Sequence, residues 1–258
     1  PVPLFLIVVT LPLFLGGCGE KPNLKYEIKG DSITITGCDK KASGALTIPA
    51  TIEGKPVTSI GNGAFYNYTS LTSITIPDSV TSIGGEAFSG CTSLKSITIP
   101  DSVTNLGDGA FNDCTSLTNI TIPDSVTSIG NGAFYNCTSL TSITIPDSVT
   151  SIGGSAFEDC SSLTSITIPD SVTSIGQQAF ADCRGLKSIT IPDRVSYIGA
   201  FAFAECNSLR AVTFLGDAPK AGQRVFSPSP PIIYRKPEAK GWGDTFAERP
   251  VKLISEKP

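Results

Sequence analysis

One spacing constrains this chain more than any other feature. Pro77, Pro100, Pro123, Pro146, Pro169 and Pro192 stand 23 residues apart. Cys91, Cys114, Cys137, Cys160, Cys183 and Cys206 keep the same period, and so do seven phenylalanines from Phe65 to Phe203. An unbroken register of this length predicts a solenoid with one coil per repeat, because a single repeat cannot bury its apolar face alone and must stack on neighbours.

Residues 137–159 (CTSLTSITIPDSVTSIGGSAFED) show how one coil is laid out. In the strand around Leu140, Ile143 and Ile145 should point inward while Ser142 and Thr144 face water, since side chains alternate along a strand. Pro146 has no N–H to offer a ladder and ends the strand. Val149 and Ile152 should then turn inward along an opposite wall, Gly153-Gly154 allows a tight bend, and Ala156-Phe157 returns to the core. Each buried Phe, Ile or Leu stabilises the stack by roughly 1.5–3 kcal/mol.

The ends depart from the repeat. Residues 24–37 alternate around Gly30-Asp31 and predict a hairpin closing the N-terminal end, followed by an irregular first coil at 49–57. After Leu215 the register is expected to stop. Residues 232–234 and 251–254 read as short strands, with Trp242 and Phe246 covering the last coil and 227–231 (SPSPP) forming a surface loop. The expected division is a targeting segment at 1–17, an N-terminal hairpin and first coil at 18–56, a solenoid of about eight coils at 57–215 and a C-terminal cap at 216–258.

Composition removes several functions. Histidine is absent, which takes away the commonest general base and metal ligand. Net charge is −4, and no basic stripe follows the repeats, so nucleic acid is not an expected partner. No acid–base pair, nucleophile dyad or phosphate loop appears. The chain reads as a non-enzyme that needs no cofactor.

The repeating polar residues have bland explanations that outweigh chemical ones. The cysteine row should be buried reduced thiols. Neighbouring coils lie ~4.8 Å apart, so disulfides would be strained, and a straight row of sulfurs cannot converge tetrahedrally on zinc. Stacked carboxylates at Asp78, Asp101, Asp124, Asp147, Asp170 and Asp193 could gather calcium, but each is expected instead to accept a backbone N–H in its own turn. The outward pairs from Ser73/Thr75 to Ser188/Thr190 should form a flat, soluble hydroxyl face. Variation between repeats concentrates after Ile-Gly and after Ala-Phe. That loop edge is the candidate ligand face, with Tyr66, Tyr68 and Tyr135 as anchors.

Residues 4–15 (LFLIVVTLPLFL) are an apolar run of 12, shorter than the ~20 helical residues that span a bilayer. Leu15-Gly16-Gly17-Cys18 then resembles the lipobox of bacterial lipoproteins, which implies an acylated Cys18 and a membrane anchor. The alternative is a secretory segment that happens to abut a cysteine.

The pattern Leu-x-x-Ile-x-Ile-Pro, Val-x-x-Ile-Gly, Ala-Phe, Cys between Val57 and Leu215 resembles the BspA-like leucine-rich repeats of bacterial surface proteins. The resemblance implies a leucine-rich repeat solenoid of stacked parallel short strands in a secreted or surface-anchored protein; together with the lipobox, it implies a lipid-anchored, extracytoplasmic place in the cell envelope. It implies binding of another protein, adhesin-like, with no catalytic residues to carry over. A passive envelope spacer without a specific ligand is the alternative.

Overall fold

The computed structural model describes residues 23–256. The apolar run and Cys18 lie outside them. Among the described residues no helix is long and apolar enough to cross a membrane.

The chain opens with a hairpin of β1 (Leu24–Lys29) and β2 (Ser32–Cys38), paired antiparallel. Gly30 makes the turn at a φ of +62°, which glycine adopts without steric cost. β2 begins a rear wall, continued in parallel by β5 (Lys55–Ile60). A front wall begins at β3 (Gly44–Thr47), paired in parallel with β6 (Leu71–Thr75). Between them β4 (Thr51–Ile52) folds back on β5. This excursion carries Glu53 under the hairpin, where the Tyr26 hydroxyl donates to its Oε1 at 2.7 Å.

From there both walls climb in 23-residue steps, giving a β-solenoid of about nine turns. In the middle coils the ladders shrink to single bridges, such as Thr121 to Thr144 on the front wall and Ile129 to Ile152 on the rear. Backbone bonds elsewhere in the coil keep the stack together. Thr150 N donates to Thr127 O in the preceding coil at 3.0 Å, while Phe134 N donates to Ala156 O in the following one at 2.9 Å.

The core matches the expected inward set. Ile143, Ile145, Val149, Ile152, Ala156 and Phe157 are buried, and Ser142 and Thr144 are exposed. Phenylalanine rings from Phe65 to Phe226 stack face to face, with centroids 5.3–5.6 Å apart and planes within 15°.

The register does not stop at Leu215, as the sequence reading expected. Lys220–Ala221 pairs with Tyr197–Ile198 on the rear wall, and Ile232–Arg235 pairs with Ala211–Phe214 on the front. Phe226 adds the last ring. Ser229 is fully buried rather than part of a surface loop. Here the polar and proline residues of 227–231 hide a coil whose core positions, Val225, Phe226 and Ile233, remain apolar and buried. Beyond it, Phe214, Trp242 and Phe246 pack ring against ring at 4.9–5.3 Å, and Trp242 Nε1 donates to Gly216 O at 3.3 Å.

Candidate functional site

Besides the rear wall, each coil has three outward surfaces, and two of them barely change along the stack. The front wall presents Ser and Thr. The turn after it presents Asp78 and its five successors, all exposed. These carboxylates do not close their own turns as expected. The backbone does so, with Val149 N donating to Pro146 O at 3.0 Å, and the following serine reaches the preceding coil, as Ser148 does to Val126 O at 2.6 Å.

The third surface is the loop edge, where the chain turns from the rear wall towards the next cysteine. Its tight path has a stereochemical cause. The Ile-Gly glycine packs on the coil before it, and a Cβ on Gly153 would lie 2.7 Å from Asn131 N. Two residues per coil then take positive φ, for example Gly132 and Asn136, or Ser155 and Asp159. Gly, Asn and Asp tolerate that region best, which accounts for the polar composition of this edge.

Side chains step along the edge from coil to coil. Asn62 Oδ1 accepts from Gly85 N at 2.9 Å, Asp108 Oδ1 from Asn131 N at 2.8 Å, and Asn131 Oδ1 from Gly154 N at 2.7 Å. Between these steps lies an open depression of about 680 Å³, lined by Glu86, Asp108, Asn112, Asn131, Ser155 and Gln178 among others. Asn112 Oδ1 is buried there with no hydrogen-bond partner among the described residues.

The edge is acidic. Glu86, Asp108, Asp113, Glu158, Asp159, Asp182 and Glu205 all lie on it. The neighbouring Arg184 is spent on Asp182 at 2.7 Å. Burial, followed by the charges of Glu158, Asp159, Asp113 and Asp182, holds the Tyr135 hydroxyl above its usual range.

The three candidate anchors part company. Tyr66 is 45% exposed, and Tyr135, three coils on in the same column, is half-buried. Tyr68 is corrected: it is buried, its hydroxyl donating to Cys38 O at 2.6 Å and accepting from Cys38 N at 3.0 Å. It occupies the position of the repeat cysteine, which faces the core in every coil, so its loop-like sequence context was misleading.

Among the described residues the cysteines are free and buried, and Cys38 joins the six of the row. Each row thiol donates to the carbonyl of a phenylalanine in the coil before, at 3.0–3.2 Å. Burial pushes the thiols of Cys91, Cys160 and Cys206 up to about 12 and that of Cys38 to about 11. A thiol kept protonated is a poor nucleophile and a poor metal ligand.

Comparison with known proteins agrees with this geometry. The family model for the BspA type leucine rich repeat region matches residues 58–184 and 107–233, in six copies. A leucine-rich repeat protein of T. pallidum is 34% identical, with a TM-score of 0.66 over 72% of this chain and 87% of that one. A leucine-rich cell surface protein of Faecalibacterium prausnitzii is 42% identical at the same TM-score, over 74% of this chain and 52% of its own length. A leucine-rich repeat protein of Bacteroides ovatus shares the fold at 24% identity and a TM-score of 0.55, over 93% of this chain and 77% of that one. A search of curated proteins finds no match.

Proposed function

Because the chain belongs to the BspA-type leucine-rich repeat family, we propose that it is a non-catalytic, extracytoplasmic binding module that engages a protein partner along its loop edge. One observation carries this reading. Coil-to-coil variation collects on a single stripe, the loop edge, while the front wall and its turns repeat nearly unchanged. A surface selected only for folding would vary on every exposed face. Tyr66 and Tyr135 supply aromatic anchors, which interfaces favour, and the surrounding carboxylates favour a partner with a basic surface.

The anchor is part of the same proposal. Acylation at Cys18 would tether the solenoid to a membrane. The near-identity of the front-wall strands supports the second reading, a passive spacer, since regular stacking alone suffices to hold a distance.

Pull-down with the full chain separates the two readings when variants are compared. Tyr66→Ala with Tyr135→Ala, and separately Glu158→Lys with Asp159→Lys, should abolish capture of a partner that Thr144→Ala and Thr167→Ala leave unchanged. Equal capture by all variants would place the binding surface away from the loop edge, and no capture by the native chain would favour the spacer.

A further inference from the structure

The two walls do not begin together. β1 extends the rear wall by one strand beyond β2, whereas among the described residues the front wall begins at β3 with no strand outside it. β3 pairs on one side only, with β6. Gly44 N and Ile48 N donate inward to Ser70 O and Thr75 O at 2.9 and 3.0 Å. Alternation therefore turns the N–H and C=O groups of Ala45 and Thr47 away from β6, and among the described residues no strand pairs with them.

The half-layer opposite is open as well. Ile28 of β1 lies two residues from the buried Tyr26 and so shares its core-facing side. Yet Ile28 is 42% exposed, one of three large apolar side chains so exposed among the described residues.

The other strand edges at the ends of the stack carry the devices that block pairing. β1 bears Lys25, Glu27 and Lys29. Arg249–Leu253 contains Pro250 and Lys252 and is backed by Thr245–Phe246. Lys220–Ala221 is two residues long, and the segment just before it is bonded by Ala218 N to Lys240 O at 2.9 Å. β3 (GALT) has no charge and no proline, and among the described residues no strand pairs with its outer side.

We propose that the outer edge of β3 takes up an extended segment of a partner protein as an added front-wall strand. The added strand completes the half-layer that β1 leaves open. Main-chain bonds to Ala45 and Thr47 hold it, and an apolar side chain at alternate positions covers Ile28, the recognition mode of strand addition. Charge sets its ends. Lys25, Lys40 and Lys41 stand beside Asp39 where β2 leaves for β3; none of them is in an ion pair among the described residues, and Lys40 Nζ donates to Tyr66 O at 3.0 Å, which leaves Lys25 and Lys41 as the freer charges. A strand added in parallel, as on every other step of this wall, starts at that corner, so acidic residues precede its apolar ones. This surface meets the loop edge only through the bond from Lys40 Nζ to Tyr66 O and does not depend on that reading.

The test titrates the full chain with a labelled peptide carrying the β6 sequence LTSITI after two aspartates, beside a second with two lysines instead. The acidic peptide should bind saturably, bind more tightly than the lysine peptide, and slow hydrogen exchange at the Ala45 and Thr47 amides. Thr47→Pro removes an outward donor and leaves the inward bonds in place. Ile28→Lys puts a charge on an already exposed position. Each should weaken binding at least tenfold, whereas Tyr66→Ala should not. Absence of binding overturns the proposal. So does undiminished binding to a folded Ile28→Lys chain, or exchange at Ala45 and Thr47 that is already slow without peptide. A dimer of the chain alone that Thr47→Pro dissolves would assign the edge to a second copy and overturn it too.

Discussion

Cys137 Sγ donates to the Phe111 carbonyl oxygen, 3.2 Å away and 26 residues earlier in the chain. The row of cysteines is therefore a hydrogen-bonded column as well as a packed one. In the last full coil Ser229 makes the same bond to Phe203 O at 3.1 Å, and in the first the Tyr68 hydroxyl fills the corresponding place. Position rather than sulfur chemistry selects these residues, since each supplies a donor to a buried carbonyl.

Cys137→Ala should accordingly cost about 1–3 kcal/mol, since it strands the Phe111 carbonyl and leaves a small cavity. Cys137→Ser keeps a donor and should cost less. Denaturant melts of the two variants check the order, and equal losses would mean the bond contributes nothing.

Stability should fall steeply in alkali. In the unfolded chain the thiols ionise near ~8.5, whereas burial holds those of Cys91, Cys160 and Cys206 up to about 12 in the fold. Below pH ~8.5 both states keep the proton and this contribution is complete. Above it the unfolded state binds fewer protons, and each such thiol removes ~1.4 kcal/mol per pH unit until its folded value is reached. Melting temperatures measured from pH 7 to 11 should drop above about 8.5, and replacing several row cysteines by serine should flatten the drop.

Phe134 stacks between Phe111 and Phe157 with centroids 5.6 and 5.4 Å away. Phe134→Ala should cost about 3–5 kcal/mol, because rings fixed on both sides cannot collapse into the gap. Thr144→Ala, on the exposed front wall, should stay within about 0.5 kcal/mol. Equilibrium unfolding of the pair tests the inward and outward assignment directly.

Cys18→Ser should release the chain from membranes or leave its precursor uncleaved. Detergent partitioning and mass spectrometry of the mature N-terminus check this, and an unmodified N-terminus elsewhere would remove the anchor from the proposal.

Much of this architecture can be read from the sequence because the repeat states it many times over. A core position such as Val149 or Phe157 is recognised by its copies as much as by its own chemistry. Where copies end, legibility ends too. Tyr68 looks like a loop tyrosine until its place in the cysteine column is seen, and the proline-rich stretch around Ser229 conceals a coil. The open edge of β3 is legible only in three dimensions, because GALT carries no mark of what it lacks. The acidic column of Asp113, Asp159 and Asp182, spaced by multiples of 23, was available in the sequence, but only the fold shows that Arg184 is spent on Asp182.

In the regular coils the recurring bonds that join one coil to the next span fixed counts of residues, such as 22, 23, 24 and 26. A duplication or deletion of one whole repeat in the gene therefore leaves each surviving group facing an equivalent partner. Near-identical coding blocks in tandem also invite such events during recombination. The reach of the solenoid becomes a heritable quantity that changes in increments of ~4.8 Å, adjustable across generations without any new packing problem to solve.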